Sequence, residues 1–85
     1  MEIIFTQKAL EDLQFWKKSG QKKIQNRITA LLVAIKENPF EGVGKPEPLK
    51  HSLSGKWSRR IDQEHRLIYE IVNEQIIVYS LRYHY

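Results

Sequence analysis

The chain predicts an α+β fold, two N-terminal helices packed on one face of a twisted antiparallel sheet. Three observations carry this. Two early segments place apolar side chains at helical spacing, Ala9 to Trp16 and Ile24 to Ile35. Residues 57–80 instead alternate with period two. Short turns separate those later segments, as in an antiparallel meander, and the layered solution puts the helices on one sheet face. The other face is then open to a ligand.

The elements follow in order. Ile3-Ile4-Phe5 is a short apolar strand, and Thr6 is placed to N-cap a helix. Ala9, Leu10, Leu13 and Trp16 share one face of that helix, with Phe15 off it. Glu11 and Asp12 near its start and Lys17 and Lys18 at its end suit the helix dipole. Ser19-Gly20 ends it. In the second helix Ile24, Ile28, Leu31, Leu32 and Ile35 form one core-facing stripe. Lys22 and Lys23 at its start and Glu37 at its end run against the dipole, and either a solvated face or a basic face for RNA accounts for them. Asn38-Pro39 stops the helix.

Residues 39–55 read as a long loop holding all three prolines and three of the four glycines. A stiff loop of this length in a small domain is usually functional. Trp57, Arg59 and Ile61 then share an inward strand face. Asp62-Gln63-Glu64 is a turn. Leu67, Tyr69 and Ile71 alternate in the next strand, Asn73-Glu74 turns again, and residues 76–80 form the last strand.

Eighty-five residues predict one domain, residues 1–85. With no cysteine, a disulfide scaffold, a thiolate metal site and a cysteine nucleophile are excluded. The longest apolar run, Ala30 to Ile35, is far too short to span a bilayer, and Met1-Glu2-Ile3-Ile4 does not resemble a signal peptide. A cytoplasmic location is expected. The net charge of +4 favours an anionic partner, although a merely solvated surface explains it as well. Four of the five arginines lie after residue 58, and their forks match phosphate geometry.

Three groups could carry chemistry. Glu47 stands between Pro46 and Pro48, with Lys45 and Lys50 flanking. A stiffly held, ionised carboxylate can act as a general base, while a surface turn glutamate is the plainer explanation. Arg59, Arg60 and Arg66 lie on neighbouring strands, able either to clamp a phosphate or to pair with Asp62, Glu64 and Glu70. The end, Arg82-Tyr83-His84-Tyr85, combines a residue suited to proton transfer with aromatic planes for unpaired bases. Strand spacing would put Arg82 and His84 on one face. His51 and His65 have no metal-site spacing, and neither metal nor cofactor is called for. Taken alone, these features suggest a basic α+β domain that binds RNA.

The runs Asn38 to Gly42, Gly44 to His51, Leu53 to Gly55, Trp57 to Ile61, Glu64 to Tyr69 and Arg82 to Tyr85 together resemble the YoeB (Txe) toxins of the RelE superfamily. The resemblance spans essentially the whole chain. It implies a microbial-ribonuclease-like fold and the toxin half of a type II toxin–antitoxin pair. It further implies an endoribonuclease that enters the ribosomal A site and cuts mRNA without a metal. By resemblance, Glu47 is the general base, His84 the general acid, Arg66 the phosphate stabiliser and Tyr85 a residue that helps place the RNA. Lys50, Arg59, Arg60 and Arg82 are expected at the RNA phosphates. A YefM-like antitoxin and a homodimer are implied, with DNA bound only through the antitoxin complex. The alternative is a non-cleaving inhibitor that occupies the A site.

Overall fold

The computed structural model describes residues 1–83. The elements are β1 (Glu2–Phe5), α1 (Gln7–Ser19), α2 (Lys22–Glu37), β2 (Glu47–Pro48), a 3₁₀ turn (His51–Leu53), β3 (Trp57–Arg60), β4 (Arg66–Val72) and β5 (Gln75–Ser80). One five-stranded sheet runs in the order β1-β5-β4-β3-β2. The two helices and the β3-β4-β5 meander form as the periodicity predicts. One feature of the expected sheet is corrected: it is mixed, because β1 pairs with β5 in parallel, Ile3 opposite Ile76 and Phe5 opposite Val78. No hairpin turn follows β1. The chain enters α1 at once, so β1 takes its partner from the far end of the sequence.

Both helices lie over the face of the sheet that carries Leu67, Tyr69, Ile76 and Val78. Ala9 and Trp16 from α1 and Ile28, Leu31 and Ile35 from α2 complete the core. Thr6 caps α1 by accepting a hydrogen bond from the Ala9 N–H at 3.2 Å. The inward face of α1 differs from the expected one. Leu10 is exposed, whereas Asp12 is buried. Asp12 Oδ2 accepts from the Leu81 N–H at 2.9 Å and from Lys8 Nζ at 2.6 Å. A carboxylate is tolerated inside because it takes up a main-chain donor that has left the ladder beyond β5.

The loop after α2 is tied down by a buried cation. Arg59 is fully buried, 0% exposed. Its Nη2 donates to Asn38 O at 2.6 Å and Glu41 O at 3.0 Å, and its Nη1 donates to Val43 O at 3.1 Å. Nε donates to the Tyr69 hydroxyl, which in turn donates to Pro39 O. Burial raises the Tyr69 pKa above its ordinary value, and Arg59 partly opposes this. The tyrosine therefore keeps its proton as a donor to the loop.

Gly44 closes the same loop on the sheet. Its φ is +87°, and its carbonyl accepts from the Arg60 N–H at 2.7 Å. A β-carbon there would lie 2.8 Å from Leu31 Cδ2 and 3.1 Å from Arg59 Cβ. Gly44→Ala is expected to cost about 2–4 kcal/mol, from left-handed strain and overpacking together. The urea midpoint checks this, and an unchanged midpoint would refute the close approach.

Candidate active site

Pinning residues 38–44 delivers the next residues to the sheet edge. Lys45 leaves Gly44 with a positive φ of 52°, and β2 then pairs with β3, Glu47 opposite Ser58. The short strand is continued by Leu49, whose N–H donates to Lys56 O at 2.9 Å. Two residues on, His51 has a φ of 59°. Glu47 thus sits between two left-handed non-glycine residues, a local strain of the kind that gathers at functional sites.

Alternation along the strands sorts the candidate residues by face. Arg59 points inward, so Ser58 and Arg60 point outward, away from the helices. Register sets Arg60 directly opposite Arg66 and Ser58 opposite Ile68. Glu47 and Arg60 are diagonal neighbours, with Cα atoms about 7–8 Å apart in such a ladder. These residues line a polar hollow of about 350 Å³, walled by Lys45, Pro46, Glu47, Pro48, Ser58, Arg60 and Arg66. Three cations and one carboxylate share it. Two arginines directly opposite one another repel. An anionic ligand between them would remove that penalty.

Arg66 is oriented by the turn before it. Its Nη1 donates to Asp62 O at 2.8 Å and His65 O at 3.1 Å. The turn is itself held by Asp62, whose Oδ1 accepts from the N–H groups of Glu64 and His65. Both arrangements are local, and the Asx-type turn was visible as Asp62-Gln63-Glu64. Lys50 and His51 lie beside Glu47 on a neighbouring hollow of about 630 Å³.

Two of the residues expected at phosphates have protein partners in the structure. Arg59 is fully buried, and its bonds among the described residues go inward to loop carbonyls and Tyr69. Arg82 lies elsewhere, its guanidinium 3.6 Å over the Phe15 ring and its Nη2 donating to the Tyr83 hydroxyl. β5 ends at Ser80, and Tyr83 is left-handed, φ +64°. His84 and Tyr85 lie outside the described residues.

Sequence reading missed Ser58, which is buried and lines the hollow. The period-two pattern that put Arg59 inside also put Ser58 outside. Further along the outer face, the Tyr79 hydroxyl donates to Glu70 Oε1 at 2.7 Å, and this bond raises the Tyr79 pKa above its ordinary value. Lys56 Nζ lies 4.6 Å over the Tyr79 ring. Tyr79 is brought there by a register shift, in which Ile68 pairs with Ser80 while Tyr69 pairs with Val78. The basic start of α2, with Lys22, Lys23 and Arg27, borders a separate hollow of about 860 Å³. No described helix is long and apolar enough to cross a membrane. Among the described residues, no group of three or more His, Asp or Glu side chains is placed to hold a metal ion.

Comparison with known proteins places this geometry in a family. Residues 5–85 match the YoeB-like toxin of bacterial type II toxin–antitoxin systems. The toxin YoeB of Streptomyces coelicolor is 49% identical over 85 residues, covering all of both chains. A YoeB/ParE toxin from Agrobacterium tumefaciens superposes with a TM-score of 0.96 at 37% identity, again over the whole of both chains. YoeB of Staphylococcus aureus is 42% identical, covering all of this chain and 98% of the other. Its structures, a complex with YefM and a dimer, superpose with TM-scores of 0.90 and 0.91. Matches at this identity along the full length leave one assignment: the chain belongs to the YoeB-like toxin family of bacterial type II toxin–antitoxin systems.

Proposed function

We propose that this toxin is a ribosome-dependent endoribonuclease that stops translation by cutting mRNA in the A site. The observation that supports it most is the placing of the Glu47 carboxylate beside Arg60 and Arg66 on one open sheet face. RNA carries its own nucleophile, so strand cleavage needs a base, an acid and a cation at the phosphate. Glu47 takes the proton of the 2′-OH. The 2′-oxygen attacks the adjacent phosphorus and the bond to the 5′-oxygen breaks. His84 protonates that departing oxygen. The products are a 2′,3′-cyclic phosphate and a free 5′-hydroxyl. Arg66 stabilises the charge that grows on the phosphorane oxygens, with Arg60 beside it. Lys50 contacts a neighbouring phosphate, and Tyr85 helps place the RNA. The ribosome supplies an ordered, single-stranded codon.

The partners follow from the relatives. YoeB of S. aureus forms a complex with YefM and also a dimer. We infer that this chain likewise pairs with a YefM-like antitoxin and self-associates.

The test adds purified protein to ribosomes stalled on a defined mRNA and maps the new ends. A cut within the A-site codon, lost in His84→Ala, is expected. A second arm uses naked RNA in EDTA, since ribosomes need magnesium. Arrested translation with uncut mRNA would replace this reading by one of simple A-site occupancy.

A further inference from the structure

Past the end of β5 the main chain has no ladder to hold it, yet it is held at four points. The Leu81 N–H donates to Asp12 Oδ2, and Leu81 O accepts from Trp16 Nε1 at 2.9 Å. Two residues later the Tyr83 N–H donates to His65 Nδ1 at 2.8 Å, and Tyr83 O accepts from the Arg66 N–H at 3.0 Å. The first pair of bonds comes from α1. The second comes from consecutive residues at the start of β4, one of which is the arginine of the candidate site.

Tyr83 is held in a conformation that its β-carbon disfavours, φ +64°. Left-handed backbone turns the chain sharply at Tyr83. His65 is 8% exposed and stands edge-on to Trp16, ring centroids 4.9 Å apart. An imidazole nitrogen that accepts an N–H bond carries no proton. The network therefore puts the ring proton on Nε2, which lies 3.5 Å from Glu64 Oε1.

We propose that His65 is a positioning residue for the reaction: as the neutral Nε2–H tautomer, its Nδ1 fixes the Tyr83 peptide, the backbone to which His84 and Tyr85 are joined in sequence. Packing alone does not require this. A phenylalanine ring would fill the same space against Trp16 but would leave the Tyr83 N–H without an acceptor. Asparagine presents an acceptor at the δ position without the ring. The two variants separate the acceptor from the ring. What His84 does rests on the proposed function, whereas the clasp itself can be read without any cleavage.

The experiment compares wild type, His65→Phe and His65→Asn. In the wild type, long-range ¹H–¹⁵N spectra should show the Nε2–H tautomer, and the Tyr83 amide should be slow to exchange. The Nδ1–H tautomer would overturn the proposal outright. In His65→Phe the Tyr83 amide should lose protection, and kcat on programmed ribosomes should fall by about 10²-fold, the scale of an ångström-level misplacement. The KM for ribosomes should stay within about twofold, because docking is untouched. His65→Asn should keep the Tyr83 protection and recover most of kcat. The reverse order, with the phenylalanine variant active and the asparagine variant not, would make His65 a packing residue only. If the phenylalanine variant does not fold, loss of Tyr83 protection in the asparagine variant overturns the proposal by itself. If the wild type does not cut mRNA, the proposed function falls, and the tautomer and amide exchange still decide the clasp.

Discussion

Glu47→Gln is expected to slow single-turnover cleavage of A-site mRNA by about 10²–10⁴-fold, the usual contribution of a positioned proton acceptor. Glutamine keeps the size and the hydrogen-bonding shape of the side chain but cannot take the 2′-OH proton. Stability should barely change, within about 0.5 kcal/mol, since the residue is exposed at the sheet edge. Ribosome binding should survive, because Arg60, Arg66 and Lys50 remain. The variant should therefore still sediment with ribosomes while leaving mRNA intact. Cleavage at the wild-type rate would remove Glu47 from the chemistry. A large fall in the unfolding midpoint would make it structural instead.

The second large effect concerns stability and comes from Arg59. Arg59→Met keeps the aliphatic stem and removes the fork. Three loop carbonyls, those of Asn38, Glu41 and Val43, then lose their donor. Each orphaned acceptor costs about 1–3 kcal/mol, partly offset because a buried charge is removed as well. A net loss of about 2–4 kcal/mol is expected, which lowers the melting midpoint of a domain this size by roughly 10–20 °C. Arg59→Lys should fare little better, because one ammonium on a flexible stem cannot reach carbonyls spread over six residues. Cleavage should fall in both variants, since the loop delivers Glu47 to β2. A midpoint within about 3 °C of wild type, smaller than a single hydrogen bond predicts, would mean that the loop holds without Arg59.

The contrast between Arg59 and Arg60 shows how much of the site could be read beforehand. Both are basic, adjacent and on one strand, and both suit a phosphate. The alternation Trp57-Arg59-Ile61 already put one of them with the core. Charge and composition argued for the phosphate, while periodicity argued for the interior, and periodicity prevailed. The reason is the loop. The carbonyls of Asn38, Pro39, Glu41 and Val43 turn in to Arg59 and Tyr69, and a long multidentate donor satisfies several of them at once. That need is set by how the loop folds over the sheet and leaves no local pattern in the sequence.

Asp12 makes the same point from a helix. Its place near the start of α1 suggested a partner for the helix dipole. It is buried because Leu81, sixty-nine positions away, brings an unpaired N–H to that spot. Arg82 shows a related effect. Strand spacing was extended past Ser80, but the sheet ends there, and α1 together with His65 takes over the main chain.

The residues themselves determined a good deal. Local periodicity set the two helices, the three strands of the meander and, α1 excepted, the inward side of each. The turn at Asp62 and the proline frame of Glu47 were legible because both depend on neighbours in sequence. So was the chemical inventory of carboxylate, arginines and terminal histidine. The tertiary structure decided which of these meet. It paired β1 with β5 in parallel, set Arg60 rather than Arg59 opposite Arg66, put Asp12 inside and clasped Tyr83 to His65. Short-range backbone geometry repeats every 2 or 3.6 residues and is written along the chain. Contacts between residues distant in sequence have no such period, and they are chosen by which buried groups must find partners when the layers close.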